Sequence, residues 1–216
     1  MQYRRNQRRH DPCRRSPWPA VARTDGFPLC RHTVFFSADY EAEFTDLFTR
    51  AAMPASPTVY ICAQDRGDAG GAVVGPERLL CLINAPANGD THDPDPGEID
   101  RWTQTMLSQL ARCGLTLHLR PEATILTDPR HFEKLYPGTG GGLYGQAVHG
   151  SMASFRRPGA RSKLPGLYLA GGSTHPGAGV PMAALSGRLA ASSLLADSVS
   201  TAQSRRTVMH GGTSMR

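Results

Sequence analysis

Short apolar runs separated by polar stretches predict an α+β arrangement over most of the chain. Runs rich in apolar and β-branched residues predict strands over residues 33–37, 58–63, 79–84 and 115–119, and residues 122–126 extend or neighbour the last strand. Two stretches with helical periodicity lie between these strands. The resulting order β-α-β-β-α-β, with long connections, is typical of an α+β domain, here with a mixed sheet.

The two helical stretches differ in how clearly their ends are marked. Asp95 stands three residues before Glu98 and directly before Pro96, which is a favoured way to begin a helix, and Gly114 marks the end. The earlier helix can be capped by Ser37 or Asp39. Each helix carries one apolar stripe, which we expect to pack against the sheet. The stripes are Tyr40, Phe44, Leu47, Phe48 and Ala51 in the first helix, and Ile99, Trp102, Met106, Leu110 and Cys113 in the second.

The last third of the chain has a strand–loop–helix pattern. An apolar run at residues 167–170 predicts a buried strand, and glycines crowd after it at positions 171, 172, 177 and 179. Pro181 suits the start of a helix, and small or apolar residues continue over 182–195. A helix start offers unpaired backbone N–H groups and partial positive charge, and glycines let a phosphate or flat ring come close. The pattern therefore favours contact with a dinucleotide.

The glycine-rich loop has other interpretations. Such a loop between a strand and a helix is often only a tight connection, so this alternative stays open. The loop contains no lysine and the chain contains no G-x-x-x-x-G-K-[ST] run, which disfavours a P-loop nucleotidase.

Longer segments resemble a known family. GLYLAGGSTHPGAGVPMAALSGRLAA, residues 166–191, resembles the C-terminal flavin segment of the carotenoid desaturases, which are amine-oxidase-like flavoproteins. Four further segments resemble the bacterial 1-hydroxycarotenoid 3,4-desaturases (methoxyneurosporene dehydrogenases, phytoene desaturase-like) more narrowly. They are VFFSADYEAEFTDLF, TVYICAQDR, ERLLCLINAPANGD and GGGLYGQAVHGSMASFRRPGARSKLPGLYLAGG. The resemblance extends from about residue 18 to residue 197.

The resemblance implies an FAD-dependent oxidoreductase of carotenoid biosynthesis that acts on a CH–CH group. Its expected product is the C3–C4 double bond of an acyclic 1-hydroxycarotenoid. A related phytoene desaturase-like or carotenoid oxygenase-like paralogue is the enzymatic alternative. A fragment without catalysis is the second alternative.

One departure from the family pattern concerns the cofactor. Members of the family begin with a βαβ unit whose G-x-G-x-x-G holds the FAD pyrophosphate, and no such N-terminal βαβ unit is expected in this chain. The expected fold is thus a C-terminal portion of a desaturase, α+β or α/β, with a partial FAD-binding (Rossmann-like) segment and a mixed-sheet substrate domain. The expected divisions are a non-native, disordered basic segment (1–17), part of the substrate domain (18–137), the FAD-binding segment (138–197) and a disordered tail (198–216).

Site residues follow from the same resemblance. His175, inside the glycine loop, is a candidate proton acceptor, although a hydrogen bond to the loop backbone is the ordinary structural role. Phe35, Phe36 and Tyr60 either line an apolar tunnel for a polyene or belong to the core. Arg156 and Arg157 either meet phosphate or lie in a solvated turn. The expected cofactor contacts are Gly171, Gly172, Gly177, Gly179, Val180, Pro181, Ser186 and Gly187.

Composition and charge bear on the expected partners, metal sites and location of the protein. The net charge of +6 arises at the chain ends, since residues 1–31 hold eight arginines against two aspartates, so we expect no nucleic-acid partner. The five cysteines form no C-x-x-C pair, which argues against a metal site or a disulfide framework. With no secretory signal and no apolar run long enough to span a bilayer, we expect a cytoplasmic protein. An apolar carotenoid substrate would place it peripherally at the inner or photosynthetic membrane.

Overall fold

The structure, a computed structural model, describes residues 14–67, 71, 73–142 and 157–206. The chain divides into two compact units, Met1–Leu143 and Tyr144–Arg216. The sequence predicts a division after residue 137. Each unit is described by itself below.

The first unit is built on a five-stranded sheet. Its strands are β1 (Arg14–Gly26), β2 (His32–Phe35), β3 (Val59–Ala63), β4 (Glu77–Ala85) and β5 (Leu115–His118), in the order β2-β3-β4-β1-β5. Four of them match predicted strands. The expectation of a mixed sheet is wrong for the described strands, because each pairing is antiparallel. Antiparallel neighbours need no crossover helix, so a loop such as 64–76 returns the chain directly.

Strand β1 was not predicted, and its first four residues belong to the segment 1–17 that was expected to be disordered. It begins at Arg14, and residues 14–17 pair with residues 82–85 of β4. Pro17 and Pro19 obscure the strand in the sequence, since proline cannot donate to a ladder. Their carbonyls, however, accept from Thr127 (3.1 Å) and Ile125 (3.0 Å), on the side away from β4. The missing N–H groups face the same side, so the β1–β4 ladder is intact, and residues 124–127 neighbour β1 rather than β5.

Helix α2 (Pro96–Arg112) covers one face of the sheet, as its stripe predicts. Asp95 caps it by accepting from the Glu98 N–H at 2.8 Å. Trp18 of β1 donates its indole N–H to Thr103 at 3.2 Å across this interface. The buried core combines one face of the sheet with this helix, including Trp18, Val59, Ile61, Leu79, Cys81, Ile83, Met106 and Leu110.

Helix α1 (Tyr40–Thr45) continues as a π-helical turn (Asp46–Arg50), and Asp39 caps it by accepting from the Ala42 N–H at 2.9 Å. Leu47 of its predicted stripe is buried, but the aromatic residues of the stripe do not pack against the sheet as expected. Tyr40 is 52% exposed and Phe48 46% exposed, whereas Glu43 is buried. The buried face is rotated by one residue, about 100°, because Glu43 accepts hydrogen bonds from the interior (described below).

The second unit consists of a loop-rich segment and helix α4 (Val180–Arg206). The predicted strand at 167–170 is wrong: Tyr168 forms only a single antiparallel bridge with Arg161. Among the described residues, the strand-like hydrogen bonds of this segment go to Ala160 and Ser162, and Leu167 makes a turn bond to Leu164, which is too little pairing to form a ladder. Helix α4 starts within one residue of the predicted position and runs past residue 197, where a disordered tail was expected. Residues 207–216 lie outside the described part, as does most of the segment 138–156.

The first unit also contains a short 3₁₀ turn (Pro121–Ala123) and helix α3 (Pro129–Leu135).

Candidate functional site

The glycine loop at residues 171–179 is anchored to α4 through one serine. The buried Ser186 hydroxyl accepts from the Gly171 N–H at 2.7 Å and donates to the Ala183 carbonyl at 2.6 Å. The Gly171 carbonyl accepts from the Thr174 N–H at 3.1 Å and from the Thr174 hydroxyl at 2.8 Å. The start of the loop is therefore held in place from both sides.

The loop leaves its backbone open on the side away from these anchors. Gly171 and Gly179 have φ values of +121° and +105°, which side chains other than hydrogen rarely permit. Within the part of the chain that the structure describes, a Cβ added at Gly171, Gly179 or Gly187 would meet no atom within 4 Å outside its own neighbours in the chain and helix. The first turn of α4 carries no acidic side chain that would oppose an anion. These features fit a flavin dinucleotide, which needs close backbone approach and a favourable field for its phosphates.

Two residues hold the loop against the segment before it, Arg157 through its side chain and His175 through its backbone. The Arg157 guanidinium donates to the Gly172 carbonyl at 2.8 Å and lies against Gly177, where an added Cβ would be 3.6 Å from Nε. The half-buried His175 donates its backbone N–H to the Pro158 carbonyl at 2.9 Å. Arg157 therefore braces the loop. Arg156 lies outside the described residues.

A further anchor was not predicted from the sequence. Asp197 of α4 accepts two bonds from Arg161 (2.9 and 3.2 Å) and one from the Tyr168 hydroxyl (2.7 Å). Arg161 and then Tyr168 lower the pKa of the Asp197 carboxyl, and the hydrogen bond to Asp197 raises the pKa of Tyr168. Nothing in the local sequence spacing signals this contact, since Arg161 and Asp197 are far apart in the chain. It fastens the bridge before the glycine loop to the helix after it.

The first unit has an apolar surface, which we call the open face: two neighbouring cross-strand rows on the side of the sheet opposite α2, bordered on β4 by Arg78 and Asn84. The side chains of these rows alternate with the buried core positions. Neither row contains a carboxylate, ammonium or guanidinium group. Each row crosses four strands, about 14 Å at the usual strand spacing. The rows are Val34, Tyr60, Leu82 and Pro17, and His32, Cys62, Leu80 and Pro19.

The three candidate substrate residues occupy different surroundings. Phe35 is 5% exposed and packs edge-on against Phe27 with ring centroids 5.1 Å apart, so it belongs to the core. Tyr60 lies half-buried on the open face, and Phe36 is 67% exposed just after β2. The predicted cofactor contacts, by contrast, all lie together in the glycine loop and the first turns of α4.

Among the residues that the structure describes, no group of three or more His, Cys, Asp or Glu side chains could hold a metal ion. Within the same residues, no helix is both long and apolar enough to cross a membrane.

Comparisons with known proteins identify the family. The profile of the flavin containing amine oxidoreductases matches residues 34–195. The chain is 54% identical over 209 residues to the hydroxyneurosporene desaturase of Rubrivivax gelatinosus, covering 95% of this chain and 40% of that protein. It is 45% identical over 181 residues to the hydroxyneurosporene desaturase of Cereibacter sphaeroides (83% and 35%). It is 32% identical over 168 residues to the 1-hydroxycarotenoid 3,4-desaturase of a Flavobacterium species (76% and 34%).

The chain spans 40% or less of the length of these three relatives. The family profile, in contrast, covers most of the chain. The chain belongs to the flavin-containing amine oxidoreductase family.

Proposed function

We propose that this protein takes part in the FAD-dependent desaturation of a carotenoid that carries a hydroxyl group near one end. The open face is the observation that carries this proposal. A flavin oxidoreductase that acts on amines or other polar substrates has no need of two apolar rows without a charged group. A long polyene needs such a surface, because it offers apolar area and almost no hydrogen-bonding groups.

The second unit supplies the contacts proposed for FAD. Ser186 and Arg157 hold the loop, and the glycine backbone is open to a close approach. When bound, FAD supplies an acceptor for the two electrons and one of the two hydrogens that the substrate loses as its C–C bond becomes C=C. The other hydrogen leaves as a proton, and His175 is the group in the loop proposed to accept it.

The open face is proposed to bind and orient the polyene. Leu80, Leu82 and Tyr60 present half-buried apolar area that a polyene would cover, which removes water from both surfaces. The relatives named above are called desaturases of hydroxyneurosporene and 1-hydroxycarotenoids, and this agrees with a hydroxylated polyene. The position proposed for the new double bond is C3–C4.

We further propose that the protein works peripherally at the cytoplasmic side of an inner or photosynthetic membrane, where such carotenoids dissolve. The surface proposed for contact is the aromatic ladder Tyr40, Phe44 and Phe48, together with Phe36. The ring centroids of Tyr40 and Phe44 are 4.7 Å apart and those of Phe44 and Phe48 5.6 Å apart. Aromatic side chains of this kind favour the bilayer interface. Flotation with vesicles should decrease when Tyr40 and Phe48 are both replaced by serine.

A binding experiment tests the role of the open face. Leu82→Glu places a charge in the middle of one row, whereas Val74→Glu adds the same charge at a fully exposed position in the 64–76 loop. The carotenoid absorption band is followed as protein is added to vesicles that contain the carotenoid. We expect binding by the unchanged chain and by Val74→Glu, and its loss in Leu82→Glu, with circular dichroism confirming that both variants fold. Equal binding by all three chains would contradict the assignment.

A further inference from the structure

The open face contains one polar pair. Nδ1 of His32 and the hydroxyl of Tyr60 lie 2.7 Å apart, and their rings are nearly parallel, at 15° with centroids 6.1 Å apart. His32 lies directly across from Cys62, and Tyr60 from Val34, so the pair joins the two rows diagonally. It lies toward the β2 edge of the sheet.

The rest of the two rows offers little hydrogen-bonding capacity. The other side chains are aliphatic or proline, apart from the Cys62 thiol, which is a weak donor. The pair differs in kind, because a phenol both donates and accepts and an imidazole does either according to its tautomer. The surface thus consists of an apolar strip with one polar end.

We propose that the His32–Tyr60 pair binds the terminal hydroxyl of the carotenoid and so selects hydroxylated over unhydroxylated polyenes. This inference rests on the function proposed above and adds its specificity-determining residues. An alcohol needs a partner that can accept its proton or donate to its oxygen. The pair can do either: when Tyr60 donates to Nδ1, its oxygen accepts from the alcohol, and when His32 donates to Tyr60, the phenol donates to the alcohol.

The pair acts by discrimination rather than by overall affinity. Both polyenes gain the same contacts with Leu80 and Leu82, so these contacts cannot distinguish them. A hydroxyl buried against the apolar open face would lose its hydrogen bonds to water, and a hydrogen-bond partner on that face compensates for this loss. One such hydrogen bond corresponds to a preference of about threefold to tenfold.

The test compares two carotenoids that differ only in the terminal hydroxyl, with the full chain in the presence of FAD. Binding from vesicles is measured by the carotenoid absorption band for the unchanged chain, Tyr60→Phe, His32→Phe and Val34→Ala. We expect the preference for the hydroxylated carotenoid to fall about threefold to tenfold in Tyr60→Phe and His32→Phe. Val34→Ala removes apolar area from the neighbouring position and should weaken both carotenoids equally.

The possible outcomes distinguish a failure of the hydroxyl-binding role of His32 and Tyr60 from a failure of the proposed function. If the unchanged chain binds neither carotenoid, the proposed function fails. If it binds both but Tyr60→Phe and His32→Phe keep the original preference, the function stands and the hydroxyl-binding role of the pair is overturned. A loss of preference in Val34→Ala as large as in Tyr60→Phe would assign the effect to packing and would also overturn it.

Discussion

The hydroxyl of Ser186, in the second turn of α4, lies 2.7 Å from the backbone nitrogen of Gly171 and ties the first residue of the glycine loop to the helix behind it. Ser186 is 1% exposed, so no water can readily replace its oxygen. Ser186→Ala would leave the Gly171 N–H without its partner, at a cost of about 1–3 kcal/mol. We expect weaker FAD binding, measured by quenching of flavin fluorescence.

Ser192→Ala is the matched control for this change. Ser192 lies on the same helix but is exposed, and the described structure gives its side chain no hydrogen-bond partner. The control should bind FAD as the unchanged chain does. If Ser186→Ala and Ser192→Ala bind FAD equally well, Ser186 does not organise a flavin-binding loop.

Glu43 is the buried carboxylate that turns α1 toward the sheet. It accepts from the Thr58 N–H (3.1 Å), the Thr58 hydroxyl (2.7 Å) and the Asn84 amide (2.9 Å). Glu43→Ala would leave these donors unpaired, and we expect a loss of about 3 kcal/mol in unfolding free energy. Glu41→Ala, on the exposed side of the same helix, should change stability by about 0.5 kcal/mol or less. Urea denaturation of both variants checks this, and equal losses would contradict the assignment.

Glu77 and Arg66 form a nearly buried ion pair, with a shortest N–O distance of 2.6 Å, at the base of the 64–76 loop. The hydrogen bond from Arg66 lowers the pKa of the Glu77 carboxyl below its ordinary value of 4.5. Because the folded pKa is the lower one, the pair stabilises the protein above the ordinary value and loses this contribution as pH falls through the folded pKa. At neutral pH, Glu77→Gln should cost about 3 kcal/mol, since Arg66 keeps a buried charge without its counter-ion.

The pH dependence separates this pair from surface pairs. The stability difference between the unchanged chain and Glu77→Gln should begin to shrink as the pH falls below the ordinary glutamate pKa of 4.5, and it should be lost as the pH falls through the lower folded pKa of Glu77. Glu122→Gln disrupts an exposed pair with Arg120 and should cost about 0.5 kcal/mol or less. Thermal unfolding across this pH range measures both. A difference for Glu77→Gln that stays constant down to pH 2 would show that its charge is not involved.

Cysteine reactivity reports directly on the core. Burial raises the pKa of the Cys81 thiol to about 12. Only the thiolate reacts with alkylating agents, so Cys81 should stay unmodified at about pH 8 until the protein unfolds. Of the four cysteines that the structure describes, Cys30 is the exposed one and should react before the other three. Mass spectrometry of peptides after brief alkylation, with and without denaturant, checks the order. Early modification of Cys81 would place it outside the core.

The sequence predicted the helices whose ends are marked by capping, helix-starting or helix-ending residues. Asp95, Pro96 and Gly114 mark α2 unambiguously, and Pro181 marks the start of α4. The glycine loop was predicted because glycine spacing is visible in the sequence. The sequence did not predict that Arg157 contacts this loop or that Arg161 contacts Asp197, because each contact joins residues that are distant in the chain.

Three features were missed because tertiary contacts decide them. Strand β1 contains Pro17 and Pro19, and only the side to which their missing N–H groups point shows that the strand is allowed. The buried face of α1 was predicted from its aromatic residues. Glu43 is buried instead, because its carboxylate accepts three hydrogen bonds from Thr58 and Asn84. The open face was also missed, since it depends on the register between β1, β3 and β4.

The most direct test of the proposed function is the visible spectrum of a terminally hydroxylated carotenoid in vesicles, followed with the full chain in the presence and absence of FAD. Desaturation lengthens the conjugated system, so we predict an FAD-dependent shift to longer wavelength and a product that has lost two hydrogen atoms by mass spectrometry. An unchanged spectrum with FAD and carotenoid both present, or a product that has gained oxygen instead, would contradict the proposed desaturation.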